Sequence, residues 1–242
     1  MQPLTPSQEA ELPFTNPYVG PRTFAQRDRN RFFGRDVEAR ELLALVISER
    51  LVLFYAQSGA GKSSLINTRL IPGLKEQTQY LVLPVARVGG ELPAGGGSAR
   101  YNYLIKLLLS LDQGQTDSPV PPARFTNMDL TTFMAGLRTP DGERYYYDPA
   151  LAAQVAPASQ PSGPAQQPPH VLIIDQFEEI ITSHPERWRE REDFFRQLDA
   201  ALRADPELWV VLTLREDYIA ALDPYTRLVP DHMRTRFYMQ RM

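Results

Sequence analysis

No cysteine occurs among the 242 residues, which excludes disulfides, thiolate zinc sites and thiol nucleophiles together. The absence suits a reducing compartment, and a cytoplasmic location is expected. Histidine is nearly as scarce. His170, His184 and His232 have no metal-ligand spacing and read as structural or surface residues. A surplus of basic charge is missing too. With 26 Lys+Arg against 29 Asp+Glu the net charge is −3, which leaves no electrostatic footprint for nucleic acid or an anionic membrane. The longest apolar stretches are broken by charge at Glu49 and Arg50, so no membrane span is expected. The first sixteen residues are polar and contain proline, without the apolar core of a signal peptide. Lysine occurs only at positions 62, 75 and 106. A lysine at a functional position is therefore the more telling.

One lysine stands in such a position. Leu51–Ala56 is a short apolar run, read as a buried parallel strand, and Ser58-Gly-Ala-Gly-Lys-Ser-Ser64 follows it. Lys62 opens a predicted helix, expected to stop at Pro72-Gly73. Strand, glycine-containing turn and helix N-terminus aim backbone N–H groups and a positive dipole end at one point. Gly59 and Gly61 let the backbone approach phosphate oxygens, with Ser58, Ala60 and Ser64 completing the cradle. Lys62 supplies charge for the β/γ-phosphates and Ser63 a hydroxyl for Mg²⁺. The usual pattern has glycine six residues before the lysine; here it is Ala56. Its Cβ requires a negative φ at that position.

The chain is expected to divide into a flexible lead-in (residues 1–16) and one nucleotide-binding domain (17–242). Ten of the 22 prolines fall between Pro119 and Pro169. The stretch of about 139–170, rich in Gln, Ser and Ala, reads as an insertion without a core of its own. Asp36 can cap a helix running to about Ser48, Tyr80–Ala86 reads as a second strand limited by Pro84, and Ser98 can cap a helix over 101–111. Asp129 can open another short helix to Leu137, and Glu190–Ala204 forms a longer one. Val171–Asp175, Leu208–Leu214 and Arg236–Gln240 complete the strands. Strands alternating with helices predict an α/β fold of the P-loop NTPase class, a parallel sheet of about five strands with helices on both faces.

A phosphate cradle needs a metal carboxylate from a neighbouring strand end. Four apolar residues place Asp175 at the carboxyl edge of its strand, where open parallel sheets bind ligands. Asp175 is thus expected to hold Mg²⁺ opposite Ser63. Glu178 and Glu179 follow closely enough to orient or deprotonate water, and Arg215 ends its strand within reach of a γ-phosphate. Asn-Lys-x-Asp, with which GTPases read guanine, is absent, as is the Leu-Ser-Gly-Gly-Gln signature of transporter ATPases.

These residues resemble the STAND class of P-loop ATPases, most closely its bacterial novel STAND branch and more distantly the NACHT and NB-ARC ATPases. The resemblance runs through Asn16-Pro-Tyr-Val-Gly-Pro-Arg-Thr-Phe24, Phe32-Phe-Gly-Arg-Asp36, the phosphate loop with Leu70-Ile-Pro-Gly-Leu74, Asp175-Gln-Phe-Glu-Glu179 and Leu212-Thr-Leu-Arg-Glu-Asp-Tyr218. It implies strand order 5-1-4-3-2, Asp175 as the magnesium acid, Glu179 before Glu178 as water-orienting base, and Arg215 as sensor. It also implies that Phe33, Gly34 and Arg35 lie near adenine. Departures are Ala56, Pro21 where leucine is common, the insertion, and Met242 arriving before any lid or winged helix. The implied function is an ATP-hydrolysing signalling or antiviral-defence switch, held off by ADP and on by ATP. The resemblance also implies self-association on activation, and C-terminal sensor and effector regions in a full-length protein. A nucleotide-dependent scaffold with little hydrolysis is the alternative. A small-molecule kinase, with Arg138 or Arg144 as lid arginines, is the more remote one.

Overall fold

The computed structural model describes residues 22–78, 80–89, 103–104, 106–108, 125, 128–137 and 168–241. The lead-in, Pro21, Ser98, Arg138, Arg144 and most of the predicted insertion lie outside them. Among the described residues five parallel strands form one sheet: β1 (Leu51–Ala56), β2 (Leu81–Val82), β3 (His170–Ile174), β4 (Leu208–Arg215) and β5 (Arg236–Met239). Their order is β2-β3-β4-β1-β5, which counted from the other edge is 5-1-4-3-2. β4 thus lies between the phosphate-loop strand and the strand ending at Asp175. No described helix is long and apolar enough to cross a membrane.

Both faces of the sheet are covered because its central strands are apolar on both sides. Leu51 and Leu53, Leu172 and Ile174, and Val210, Leu212 and Leu214 face one core. Against it pack α4 (Leu130–Gly136), α6 (Trp188–Ala204) and α7 (Ile219–Thr226). Val52, Phe54 and Ala56, Val171 and Ile173, and Val211 face the other core. There α1 (Asp36–Ser48) lies beside the helical run that leaves the phosphate loop. The described residues among 103–108 are helical, and Tyr103, Leu104, Leu107 and Leu108 are buried in the first core.

Several local expectations are met with physical detail. The Asp129 side chain accepts from the Thr132 N–H at 2.6 Å, an N-cap at the residue expected to open that helix. Asp36, by contrast, does not cap α1: it is the first helical residue, and Arg35 stands at the N-cap without a side-chain bond. β2 is only two residues long, and beyond Pro84 only Ala86 still bridges to Ile174. Pro72-Gly73 does not stop the helix. The run is α2 (Lys62–Leu65), a π-helical stretch Ile66–Leu70, and α3 (Ile71–Gln77), which passes through both residues. Proline breaks helices by lacking an N–H and crowding the carbonyl four residues back. The wider π turn immediately before Pro72 relaxes both demands. Gly73 has a packing role: a Cβ there would come within 2.9 Å of the Leu43 side chain on α1.

Candidate functional site

The phosphate loop joins β1 to α2 at the carboxyl edge of the sheet. Ala56 is fully buried and its φ is not positive, so the alanine fits as the last strand residue. Gly59 and Gly61 adopt φ +73° and +94°, and a Cβ on either would meet no atom within 4 Å. Glycine is required there by backbone conformation, and the space beside it stays open. The Lys62 ammonium donates to the carbonyls of Ala56 (3.1 Å) and Gln57 (3.3 Å). Burial lowers its pKa, opposed by the nearby carboxylates of Glu178 and Asp175.

Asp175 is buried and fully engaged. It accepts from the Ser63 hydroxyl at 2.7 Å on Oδ2 and from the Thr213 hydroxyl at 2.5 Å on Oδ1. Ser63 and Asp175 present adjacent oxygens of the type that Mg²⁺ takes, with one or two carboxyls and the substrate phosphates as its usual complement. Nothing in that donor set conflicts with the metal. Among the described residues no group of three or more His, Cys, Asp or Glu gathers elsewhere as a metal centre.

The two glutamates go separate ways. Glu178 Oε2 accepts from the Arg215 backbone N–H at 3.3 Å. Burial raises its pKa, and the Lys62 charge opposes that rise. Glu179 opens the short helix α5 (Glu179–Thr182), and its carboxylate lies against Gly89, where an added Cβ would overlap it. Successive residues of a helical turn point about 100° apart, which parts the two carboxylates. Gln176 takes φ +53°, a left-handed conformation uncommon outside glycine, and so sets the direction in which the next residues leave.

The remaining candidates fall at varying distances from the pocket. The Arg215 guanidinium pairs with Asp217 at 2.6 Å and lies over the Tyr218 ring, while its buried Nε has no partner. Arg35 is buried, pairs with Glu38 at 2.6 Å and donates to the Ala60 carbonyl at 3.4 Å. It braces the loop from behind. Phe33 is 71% exposed beside Gly34, whose φ is +78°. The Ser64 hydroxyl points away from the cradle and accepts from the Phe24 N–H at 3.1 Å. Asn67 donates to the Phe24 carbonyl at 3.1 Å, so the segment ahead of α1 is bound to the phosphate-loop helix. Thr213 was not singled out by sequence reasoning. A hydroxyl two residues before a strand-end arginine was the available signal.

Comparison with known proteins decides the family. The description of novel STAND NTPase 1 matches residues 17–242. The chain belongs to the novel STAND NTPase 1 family. It is thus a P-loop NTPase by sequence as well as by fold. Among solved structures, a Walker-type ATPase of Pyrococcus abyssi is similar in fold at TM-score 0.51 and 14% identity, covering 90% of this chain. The chain spans 55% of that protein's length. No curated protein matches.

Proposed function

We propose that this novel STAND NTPase domain binds ATP with Mg²⁺ and hydrolyses it as a switch. The observation that carries this is the convergence of Lys62, Ser63, Asp175 and Glu178 on one glycine-lined loop at the carboxyl edge. Ser63 and Asp175 would hold Mg²⁺, which supplies charge neutralisation for the phosphates when bound. Lys62 would exchange its two backbone carbonyls for phosphate oxygens. Glu178, rather than Glu179, would orient or deprotonate the attacking water: its carboxylate lies at the end of β4 within the field of Lys62, whereas that of Glu179 lies against Gly89. Arg215 would leave Asp217 for the γ-phosphate and so distinguish ATP from ADP. The exposed Phe33 ring, with Gly34, is suited to cover adenine.

An ATP-on, ADP-off switch requires differential affinity between two states, and the γ-phosphate contacts of Lys62 and Arg215 are where it would arise. A signalling or defence role, with self-association on activation and further sensing regions, belongs to this reading of the whole protein. The deciding experiment is Lys62→Ala in purified protein, read by ATP binding and hydrolysis. Loss of both by roughly a hundredfold or more is expected. Unchanged values would end the proposal.

A further inference from the structure

The end of β4 grips the acidic turn at four points. The Thr213 hydroxyl donates to Asp175 Oδ1 at 2.5 Å and accepts from the Gln176 N–H at 3.3 Å. The Thr213 carbonyl accepts from the Phe177 N–H at 2.7 Å, and the Arg215 N–H donates to Glu178 at 3.3 Å. Thr213 is completely buried and cannot itself reach a nucleotide through solvent. Its hydroxyl has one proton and spends it on Asp175, so its lone pairs remain for Gln176. Such a partner fixes a carboxylate's rotation and leaves the other oxygen, Oδ2 beside Ser63, to be shared.

We propose that Thr213 is the positioning residue of this site: through Oδ1 it orients Asp175 so that Oδ2 is presented toward Ser63 and a divalent metal. The inference rests on the reading above that Asp175 and Ser63 hold Mg²⁺. By holding Gln176 in its left-handed conformation, the same hydroxyl also sets the path of the chain into Glu178. Asp175 and Glu178 are therefore aligned from one strand, and β4 carries Arg215 two residues further on. Metal acid, water-facing carboxyl and arginine share a single template.

The test is Mn²⁺ titration of the protein–ADP complex, read by electron paramagnetic resonance and needing no turnover, together with ADP affinity in EDTA. Thr213→Val keeps the shape and removes the hydroxyl. It is expected to weaken Mn²⁺ by about 10–100-fold while metal-free ADP affinity changes by less than about twofold. Thr213→Ser, which restores the hydroxyl, should recover most of the metal affinity. Should the valine variant not fold, Thr213→Ser against Thr213→Ala makes the same comparison in two enlarged cavities. Mn²⁺ affinity within twofold of wild type in the variant lacking the hydroxyl overturns the inference. Equal losses of Mn²⁺ and metal-free ADP affinity also overturn it, since they denote a purely structural residue. Asp175→Asn separates the layers: if it binds Mn²⁺ normally the underlying metal reading falls, whereas if only it loses Mn²⁺ the role of Thr213 alone falls.

Discussion

The two edges of the sheet use the same residue types in opposite ways. At the amino edge, Arg50 donates to the carbonyls of Leu202, Asp205 and Leu208 and lies over the Trp209 ring. Through Nε and one terminal nitrogen it closes the end of α6 and the start of β4. At the carboxyl edge, Lys62 has only two loop carbonyls, Glu178 is protonated more readily than an ordinary glutamate, and the Nε of Arg215 has no partner. Charges bound to backbone carbonyls on every side stabilise the fold. Charges left partly unanswered at the carboxyl edge remain available to a ligand. The backbone repeats the contrast. Gln176 is a single left-handed residue beside Asp175, whereas Asp231, His232 and Met233 are three in a row beside a cavity of about 240 Å³. That rear cavity borders Arg50 and the segment leading into β5.

The sharpest way to break this contrast is to exchange the outcomes of Lys62 and Arg50. Lys62→Ala should lose ATP hydrolysis by about a hundredfold or more with no loss of thermal stability. Arg50→Met should cost about 2–4 kcal/mol of stability, since it leaves three carbonyls without their cation, with nucleotide affinity intact in the folded fraction. Isothermal titration and thermal melts of both variants check this. A destabilised Lys62 variant that still binds ATP would erase the distinction between the edges.

Next in size is the pair of glutamates. Glu178→Gln should slow single-turnover ATP cleavage by about 10²–10⁴-fold, and Glu179→Gln by no more than a few-fold. Equal rates for the two variants would mean that their different directions have no bearing on chemistry.

The buried carboxyl also gives a pH signature. Glu178 has a folded-state pKa above its ordinary 4.5, so proton binding favours the native state. Its ionisation costs no stability below about pH 4.5, and the cost grows as pH rises through the folded value. Glu178→Gln should therefore melt higher than wild type at pH 7 and lose that advantage in acid. The acid limb of kcat/KM for wild type should lie above pH 4.5. A limb at or below that value would place the working carboxyl elsewhere.

The smallest effect expected is at Gln176. Glycine there relieves a left-handed residue but adds unfolded-state entropy, two terms of about 1 kcal/mol that nearly cancel. Chemical denaturation should find Gln176→Gly within about 0.5 kcal/mol of wild type, and Gln176→Val destabilised by about 1–3 kcal/mol.

Much of this was readable before any coordinate. Continuous apolar runs announced β1, β3 and β4 because those strands are buried on both faces, and the glycines announced the loop because its φ values demand them. Ala56 required a negative φ and has one. The choice between Glu178 and Glu179 was not readable. Adjacent carboxyls look alike in sequence, and which of them a helical turn lays against the end of β4 depends on how that turn is seated in the fold, which local composition does not encode. The extent of the helix after the loop was hidden for a related reason. Proline and glycine signal an end, and a π turn that absorbs them has no composition of its own. The brace from Arg35 and the bond from Phe24 to Ser64 depend on tertiary contact between segments about 25 and 40 residues apart. Local pattern does not encode them.

The π stretch Ile66–Leu70 has one further consequence, for the history of the chain. A π turn amounts to one residue inserted into an α-helix, and each residue turns the helix by about 100°. Deleting one residue there would restore continuous α pitch and leave the phosphate loop upstream unmoved. Because the wider turn absorbs the extra residue, Gly73 would keep its place against Leu43 on α1. An alignment that forces this helix to equal length in a relative without the π turn would pair the wrong residues beyond Leu70. The gap belongs inside the helix.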